Sequence, residues 1–144
     1  MRKFELIRTG KEYKLPVRST MNSAGYDFFA PNDVSISPGE TVIIYSGVRV
    51  IMEPDEVLMI YSRSSSGIKR NVSLPNSVGV IDSDYYGNLD NGGEILIALH
   101  NYGDKTQFFS RGDKLVQGIF VKFLTTIDDN AIGERTGGLG STTA

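Results

Sequence analysis

The chain has 144 residues, 40% of them hydrophobic, which suffices for one domain whose core needs no staples. It carries no cysteine and a single histidine, His100, and so excludes disulfides, thiolate metal sites and a His-rich zinc centre. A formal net charge of −2 with both signs interspersed argues against a protein that grips nucleic acid by charge alone, yet leaves open a small phosphate ligand held by a few groups.

At the N-terminus, MRKFELIRTG has positive charge but no apolar run behind it, so it is not a signal peptide. No stretch approaches the length of a membrane span, and the expectation is a soluble, cytoplasmic protein. The next stretch of interest, AGYDFFA (24–30), sets one acid, Asp27, in an apolar strand, where an unpaired charge is costly. Beyond it, TVIIYSGVRVIM (41–52), EVLMIY (56–61), EILIALHNY (94–102) and KLVQGIFVKFL (114–124) are rich in Val, Ile, Phe and Tyr. Turn formers separate them: PND (31–33), SPGE (37–40), EPDE (53–56), NYGDK (101–105) and SRGDK (110–114). In VRVIM the two-residue period puts Val48, Val50 and Met52 on one face and Arg49 on the other. No long amphipathic helix with its caps is present. Many short strands at even spacing predict a single all-β domain: a sandwich, jelly roll or barrel.

Three polar stretches carry chemistry. SRSSSGIKR (62–70) follows a strand with an arginine, three hydroxyls and two more cations; it is either a solvated loop or an oxyanion cradle, and it lacks the Walker pattern of a P-loop. In GVIDSDYYG (79–87) an apolar lead runs into Asp82 and Asp84. A calcium loop fails here, because Tyr86 and Gly93 stand where oxygen donors are needed. The remaining readings are a hairpin turn through YYGNL and a catalytic carboxylate, made a better base by apolar surroundings. An extended backbone up to Asp84 would put Asp82 and Asp84 on one face and Tyr85 opposite. Gln117 stands alone in a strand pattern, where a core glutamine bonded to backbone is the default. Finally GERTGGLGSTTA (133–144) cannot bury enough surface to order itself, and reads as a mobile arm. Its glycines and Arg135 suit close wrapping of a phosphate.

Taken in order, AGYDFFA, RSSSGIK, GVIDSDYYG, RGDKLVQGIF and RTGGLGSTT resemble the five motifs of the trimeric, all-β deoxyuridine triphosphate nucleotidohydrolase (dUTPase) family. The resemblance implies a distorted jelly-roll domain over residues 1–132, the arm over 133–144, and a homotrimer whose active sites are shared between subunits. It implies the conversion of dUTP and water to dUMP and pyrophosphate with Mg2+, which keeps uracil out of DNA and supplies dUMP for thymidylate synthesis. Asp82 would be the base that activates water toward the α-phosphorus, and Tyr85 would lie beneath the deoxyribose and exclude a 2′-hydroxyl. Arg63, Ser64, Ser65 and Gln117 would contact the phosphates, and Asn76 the nucleoside. Asp27 would approach the metal through water. Arg135, Gly137, Gly138, Leu139, Gly140 and Ser141, with Thr142, would close over the substrate.

The chain departs from the family pattern in three places. Ser65 stands at a usual glycine, Leu139 stands at the aromatic that stacks on uracil, and the spacing from Arg135 to Leu139 is one residue short. Stacking on uracil is then either weak or supplied by another ring such as Tyr86. The rival readings are a dCTP deaminase of the same fold and a nucleotide-gated interaction protein without catalysis.

Overall fold

The computed structural model describes residues 1–140; Ser141 and Thr142 lie outside the described residues. Twelve strands run through these residues: β1 (Lys3–Leu6), β2 (Val17–Arg18), β3 (Tyr26–Phe29), β4 (Val34–Ile36), β5 (Thr41–Tyr45), β6 (Val48–Ile51), β7 (Glu56–Ser62), β8 (Val72–Ser73), β9 (Gly79–Asp82), β10 (Leu96–Asn101), β11 (Gln107–Phe109) and β12 (Lys114–Lys122). A π-helical turn at Ser65–Lys69 and a 3-10 turn at Ser83–Tyr85 are the helical elements among the described residues. The all-β expectation holds because the apolar segments alternate as strands must. In β10, Ile97, Leu99 and Asn101 face inward while Leu96, Ala98 and His100 face out.

All pairings are antiparallel. The largest sheet has the order β2-β3-β12-β7-β9; β5-β10-β8, β1-β6 and β11-β4 form the smaller ones. One apolar cluster takes residues from every sheet: Phe28 of β3, Ile36 of β4, Val48 and Val50 of β6, Leu58 and Ile60 of β7, Leu99 of β10 and Phe109 of β11. Strands that share one core from all sides make a distorted, barrel-like jelly roll rather than separate ribbons. Each buried Leu, Ile or Phe in such a cluster contributes roughly 1.5–3 kcal/mol. β7 is an interior strand, paired with β12 on one side and β9 on the other, and its first three residues are all buried.

The apolar run 41–52 is not one strand. It breaks at Ser46–Gly47, and β5 and β6 enter different sheets. Gly47 has φ +74°, and a Cβ there would lie 2.3 Å from the Tyr13 ring, so only glycine turns this corner. The corner is pinned by Glu94, whose Oε2 accepts the Gly47 N–H at 2.9 Å and Arg8 Nε at 2.7 Å, while its Oε1 accepts Arg8 Nη2 at 2.9 Å. Those bonds raise the Arg8 pKa above the usual guanidinium range, the Glu94 hydrogen bond first and its charge second.

After β12 the chain forms no further strand or helix up to residue 140. Leu124, Ile127 and Ile132 are exposed along it, before the arm returns to the body at Arg135. Among the described residues no helix is long and apolar enough to cross a membrane.

Candidate active site

β9 ends at Asp82 because the backbone then curls into the Ser83–Tyr85 turn. The extended conformation up to Asp84 is therefore not adopted. Tyr85 does not point away from Asp82; both line one cavity of about 370 Å³, together with Asn76, Arg135, Gly138, Leu139 and Gly140. Its apolar wall comes from Ile60, Leu74, Val80 and Ile81, and from Ile43 and Ala98 on facing positions of β5 and β10. Asn76 reaches it from a tight turn in which Val78 N–H donates to the Asn76 carbonyl at 2.8 Å.

Asp82 is not in apolar surroundings: its side chain is 49% exposed and its charge is met by Arg135. Arg135 Nη2 donates to Asp82 Oδ2 at 2.6 Å, Nε donates to Asp84 Oδ1 at 2.7 Å, and Nη1 donates to the Gly137 carbonyl at 2.9 Å. These bonds raise the Arg135 pKa, with the Asp84 hydrogen bond the largest cause, so the guanidinium stays charged throughout the working range. The part Asp84 plays in seating Arg135 has no sequence signal, because the two lie 51 positions apart. The arm next crosses the Tyr85 ring, and a Cβ on Gly138 would stand 2.7 Å from Tyr85 Cε1. Leu139 lines the cavity but is mostly exposed.

Tyr86 is not available to stack on a ligand in this cavity. Its hydroxyl donates to Glu5 Oε2 at 3.0 Å, and its ring lies 4.5 Å under the Arg49 guanidinium. The Tyr86 hydroxyl is the first cause of a lowered Glu5 pKa, with Lys3 and Arg49 adding to it. The chain does reverse after Tyr86, with Gly87 N–H donating to the Gly92 carbonyl at 3.0 Å. The reversal is not a β-hairpin, since β9 pairs with β7 and β10 pairs with β5.

The other expected residues collect elsewhere. Asp27 of β3 faces Gln117 of β12 across the ladder, and Gln117 faces Tyr61 of β7. Asp27, Gln117, Arg63 and Ser64 line a cavity of about 210 Å³ with Ser19 and Ser23. Gln117 is thus half-buried on a cavity wall and not a core residue. Asp27 is buried but not unpaired. Ser19 Oγ donates to Oδ2 at 2.7 Å, Lys114 Nζ lies 3.2 Å from Oδ2, and Arg63 Nε lies 3.6 Å from Oδ1. Two cations offset the cost of burying the acid; Lys114 and Ser19 were not singled out in the sequence because they are near Asp27 only after folding. The 62–70 segment is a short helical turn: Ser64 begins it with no capping bond from its side chain, and Arg63 Nη1 is 3.4 Å from Ser65 Oγ. A second basic cavity, shared by Arg63, Ser65, Lys69, Arg70 and Lys114, adjoins it.

These two groups stand at opposite ends of β7. Asp82 pairs with Val57, whereas Ser62 pairs with Val116 just before Arg63 and Ser64. Five strand steps at roughly 3.3 Å each separate them by about 16 Å, well beyond the span of three phosphates. One chain therefore holds the carboxylate, the buried tyrosine and the arm in one place, and the remaining polar donors in another.

The dUTPase family model matches residues 11–143. A deoxyuridine 5'-triphosphate nucleotidohydrolase of Lactococcus lactis is 43% identical, with 100% of this chain and 99% of that protein covered. The crystal structure of a dUTPase from Streptococcus mutans superposes with a TM-score of 0.78 at 41% identity, over 86% of this chain and 98% of that one. A mutant dUTPase from phage phi11 of Staphylococcus aureus, described with a structural Mg(II) ion, shares the fold at a TM-score of 0.75 and 21% identity, over 91% and 96% of the two chains. With five motifs in order, the matching fold and a full-length relative at this identity, the chain belongs to the dUTPase family.

Proposed function

We propose that the chain is a dUTP diphosphatase whose active site is assembled from more than one copy of itself. The observation that carries this reading is the meeting of Asp82, Tyr85 and Arg135 at one cavity with an apolar wall, sized for a nucleoside. Asp82 takes a proton from water as its oxygen bonds to the α-phosphorus. The bond from that phosphorus to the bridging oxygen breaks, and pyrophosphate leaves with the electron pair. Tyr85 forms the floor beneath the sugar and leaves no room for a 2′-hydroxyl, while Asn76 contacts the nucleoside. A polyphosphate is a stronger partner for a guanidinium than two half-exposed carboxylates. Its arrival transfers Arg135 from Asp82 and Asp84 to phosphate and frees Asp82 for water. Gly137, Gly138, Leu139 and Gly140 follow Arg135 over the substrate, with Ser141 continuing the same arm.

Arg63, Ser64, Ser65 and Gln117 supply phosphate donors, and the separation along β7 supports taking them from a neighbouring copy. A homotrimer with three shared sites meets that need. The protein by itself offers no metal cage: among the described residues no three His, Cys, Asp or Glu side chains converge. Asp27 already faces Lys114 and Arg63, so it suits a contact through water to an ion carried by the substrate. Mg2+ held on the three phosphates fits that donor set, and it would neutralise charge on the leaving pyrophosphate.

Pyrophosphate release from dUTP, dCTP, dTTP and UTP, measured beside Asp82→Asn, tests the proposal. Release from dUTP alone is expected, falling about 10²- to 10⁴-fold in Asp82→Asn with dUTP binding retained. Ammonia from dCTP would place the chain with the deaminases. Tight dUTP binding without product would make the site a ligand switch.

A further inference from the structure

The turn that follows Tyr85 is held by two asparagines whose hydrogen-bonding capacity is filled inside the loop. Asn88, buried at 6% exposure, donates from Nδ2 to the Tyr85 carbonyl at 2.8 Å and to Asn91 Oδ1 at 2.9 Å. Its Oδ1 accepts the N–H groups of Asp90 and Asn91 at 3.0 and 3.2 Å. Asn91 Oδ1 also accepts the Gly93 N–H at 3.1 Å. Asn91 Nδ2 donates to the Tyr85 hydroxyl at 3.0 Å and to the Glu94 carbonyl at 3.2 Å. The Tyr85 hydroxyl in turn donates to that same carbonyl at 2.8 Å. Reversing the Asn91 amide would set an oxygen against the Glu94 carbonyl, so this network fixes its orientation.

The far end of the Tyr85 ring is thereby bolted to Asn91 and Glu94, and Glu94 is itself anchored by Arg8 and the Gly47 N–H. The near edge is bounded by Gly138 of the arm. The same turn holds the arm, since Asp90 N–H donates to the Thr136 carbonyl at 3.2 Å.

We infer that Asn91 is a specificity-positioning residue: by holding the Tyr85 hydroxyl it keeps the ring from yielding to a ribose 2′-hydroxyl. The inference rests on the proposed role of Tyr85 as the floor beneath the sugar. A steric check rejects an added hydroxyl only while the wall stays put, and a buried ring tied at its hydroxyl cannot swing without breaking polar bonds. Asn91 touches no substrate atom; it acts through Tyr85.

The test compares the ratio of kcat/KM for dUTP to kcat/KM for UTP in wild type, Asn91→Ala, Tyr85→Phe, the double variant and Tyr85→Ala, with thermal unfolding run on each. Asn91→Ala should lower the ratio about tenfold, the equivalent of one lost hydrogen bond, mainly by admitting UTP and with kcat for dUTP little changed. Tyr85→Phe removes that bond and the hydroxyl's bond to the Glu94 carbonyl as well, and should lower the ratio at least as far. The double variant should then be no worse than Tyr85→Phe alone, because Asn91 acts on the ring only through the hydroxyl. A general loosening of the loop would instead lower kcat/KM for both nucleotides together and leave the ratio intact, which would overturn the inference. If Asn91→Ala does not fold, an unchanged ratio in Tyr85→Phe overturns it equally. An unchanged ratio in Tyr85→Ala would remove the sugar check itself, whereas a collapsed ratio there beside a wild-type ratio in Asn91→Ala would overturn the inference alone.

Discussion

Mixing two inactive variants should restore activity. Asp82 pairs with Val57 at one end of β7, and Arg63 and Ser64 follow Ser62 at the other, so a single chain cannot bring them to one triphosphate. On the proposed reading, Asp82→Asn removes the base from every site, and Arg63→Ala with Ser64→Ala removes phosphate donors from every site. If a site draws these groups from two different copies, random 1:1 assembly gives half the sites an intact Asp82 and, independently, half an intact pair of donors. About one quarter of the sites are then complete, and the mixture should recover roughly a quarter of wild-type turnover. The assay is steady-state pyrophosphate release from dUTP after the two variants are co-refolded from denaturant, with each refolded alone as its control. Activity no higher than the sum of the controls, in a mixture shown to have exchanged subunits, would refute the reasoning and return both groups to one chain.

Gly138→Ala places a methyl group against the edge of the buried Tyr85 ring, which cannot retreat. KM for dUTP should rise severalfold, with the unfolding temperature within a degree or two of wild type. Glu56 accepts the Glu53 N–H at 2.9 Å and an ion pair from Arg2, and its pKa lies below the ordinary 4.5, the backbone bond being the first cause. A depressed folded-state pKa contributes stability that is present above 4.5 and is lost as pH falls through the lower value. Urea midpoints should therefore decline on the acid side of 4.5 more steeply in wild type than in Glu56→Gln. Gly118→Val drives methyl groups toward Leu58, Ile60 and Phe28, where even a Cβ would stand 3.0–3.2 Å from their atoms. It should cost about 1–3 kcal/mol, read as a lowered unfolding midpoint.

Much of the architecture was legible because two-residue alternation is a local property. Val48, Val50 and Met52 are buried as their spacing requires; β10 and β12 fall inside the apolar segments that announced them, and β7 outruns its segment by one residue, Ser62. The break at Ser46–Gly47 was not legible, because its cause, the Tyr13 ring above Gly47, comes from more than thirty positions away. Around the site the pattern is similar. Asp82 and Tyr85 stood out as an acid and a ring at the end of an apolar strand, and the five motifs in order pointed to the family. The setting of the acid is not legible locally, since composition around Asp82 is apolar while the folded carboxylate is half-exposed and held by Arg135. Tyr86 is a candidate stacking ring by sequence, but Glu5 and Arg49 hold it in the fold.

The sequence by itself determined which residues are chemically equipped to act: two acids after an apolar strand, a hydroxyl-rich turn with arginine, a glutamine in a strand, and an arginine heading a glycine-rich arm. Residue type and near-neighbour spacing are enough for that, because strand periodicity and turn chemistry are set within a few positions. Only the tertiary structure decided how those groups are partitioned. The ladder β3-β12-β7 gathers Asp27, Gln117 and Arg63 at one end of β7, and the β7–β9 register carries Asp82 to the other. Register in β3, β7 and β12 is fixed by burying their apolar residues in a common core, a constraint no local stretch contains.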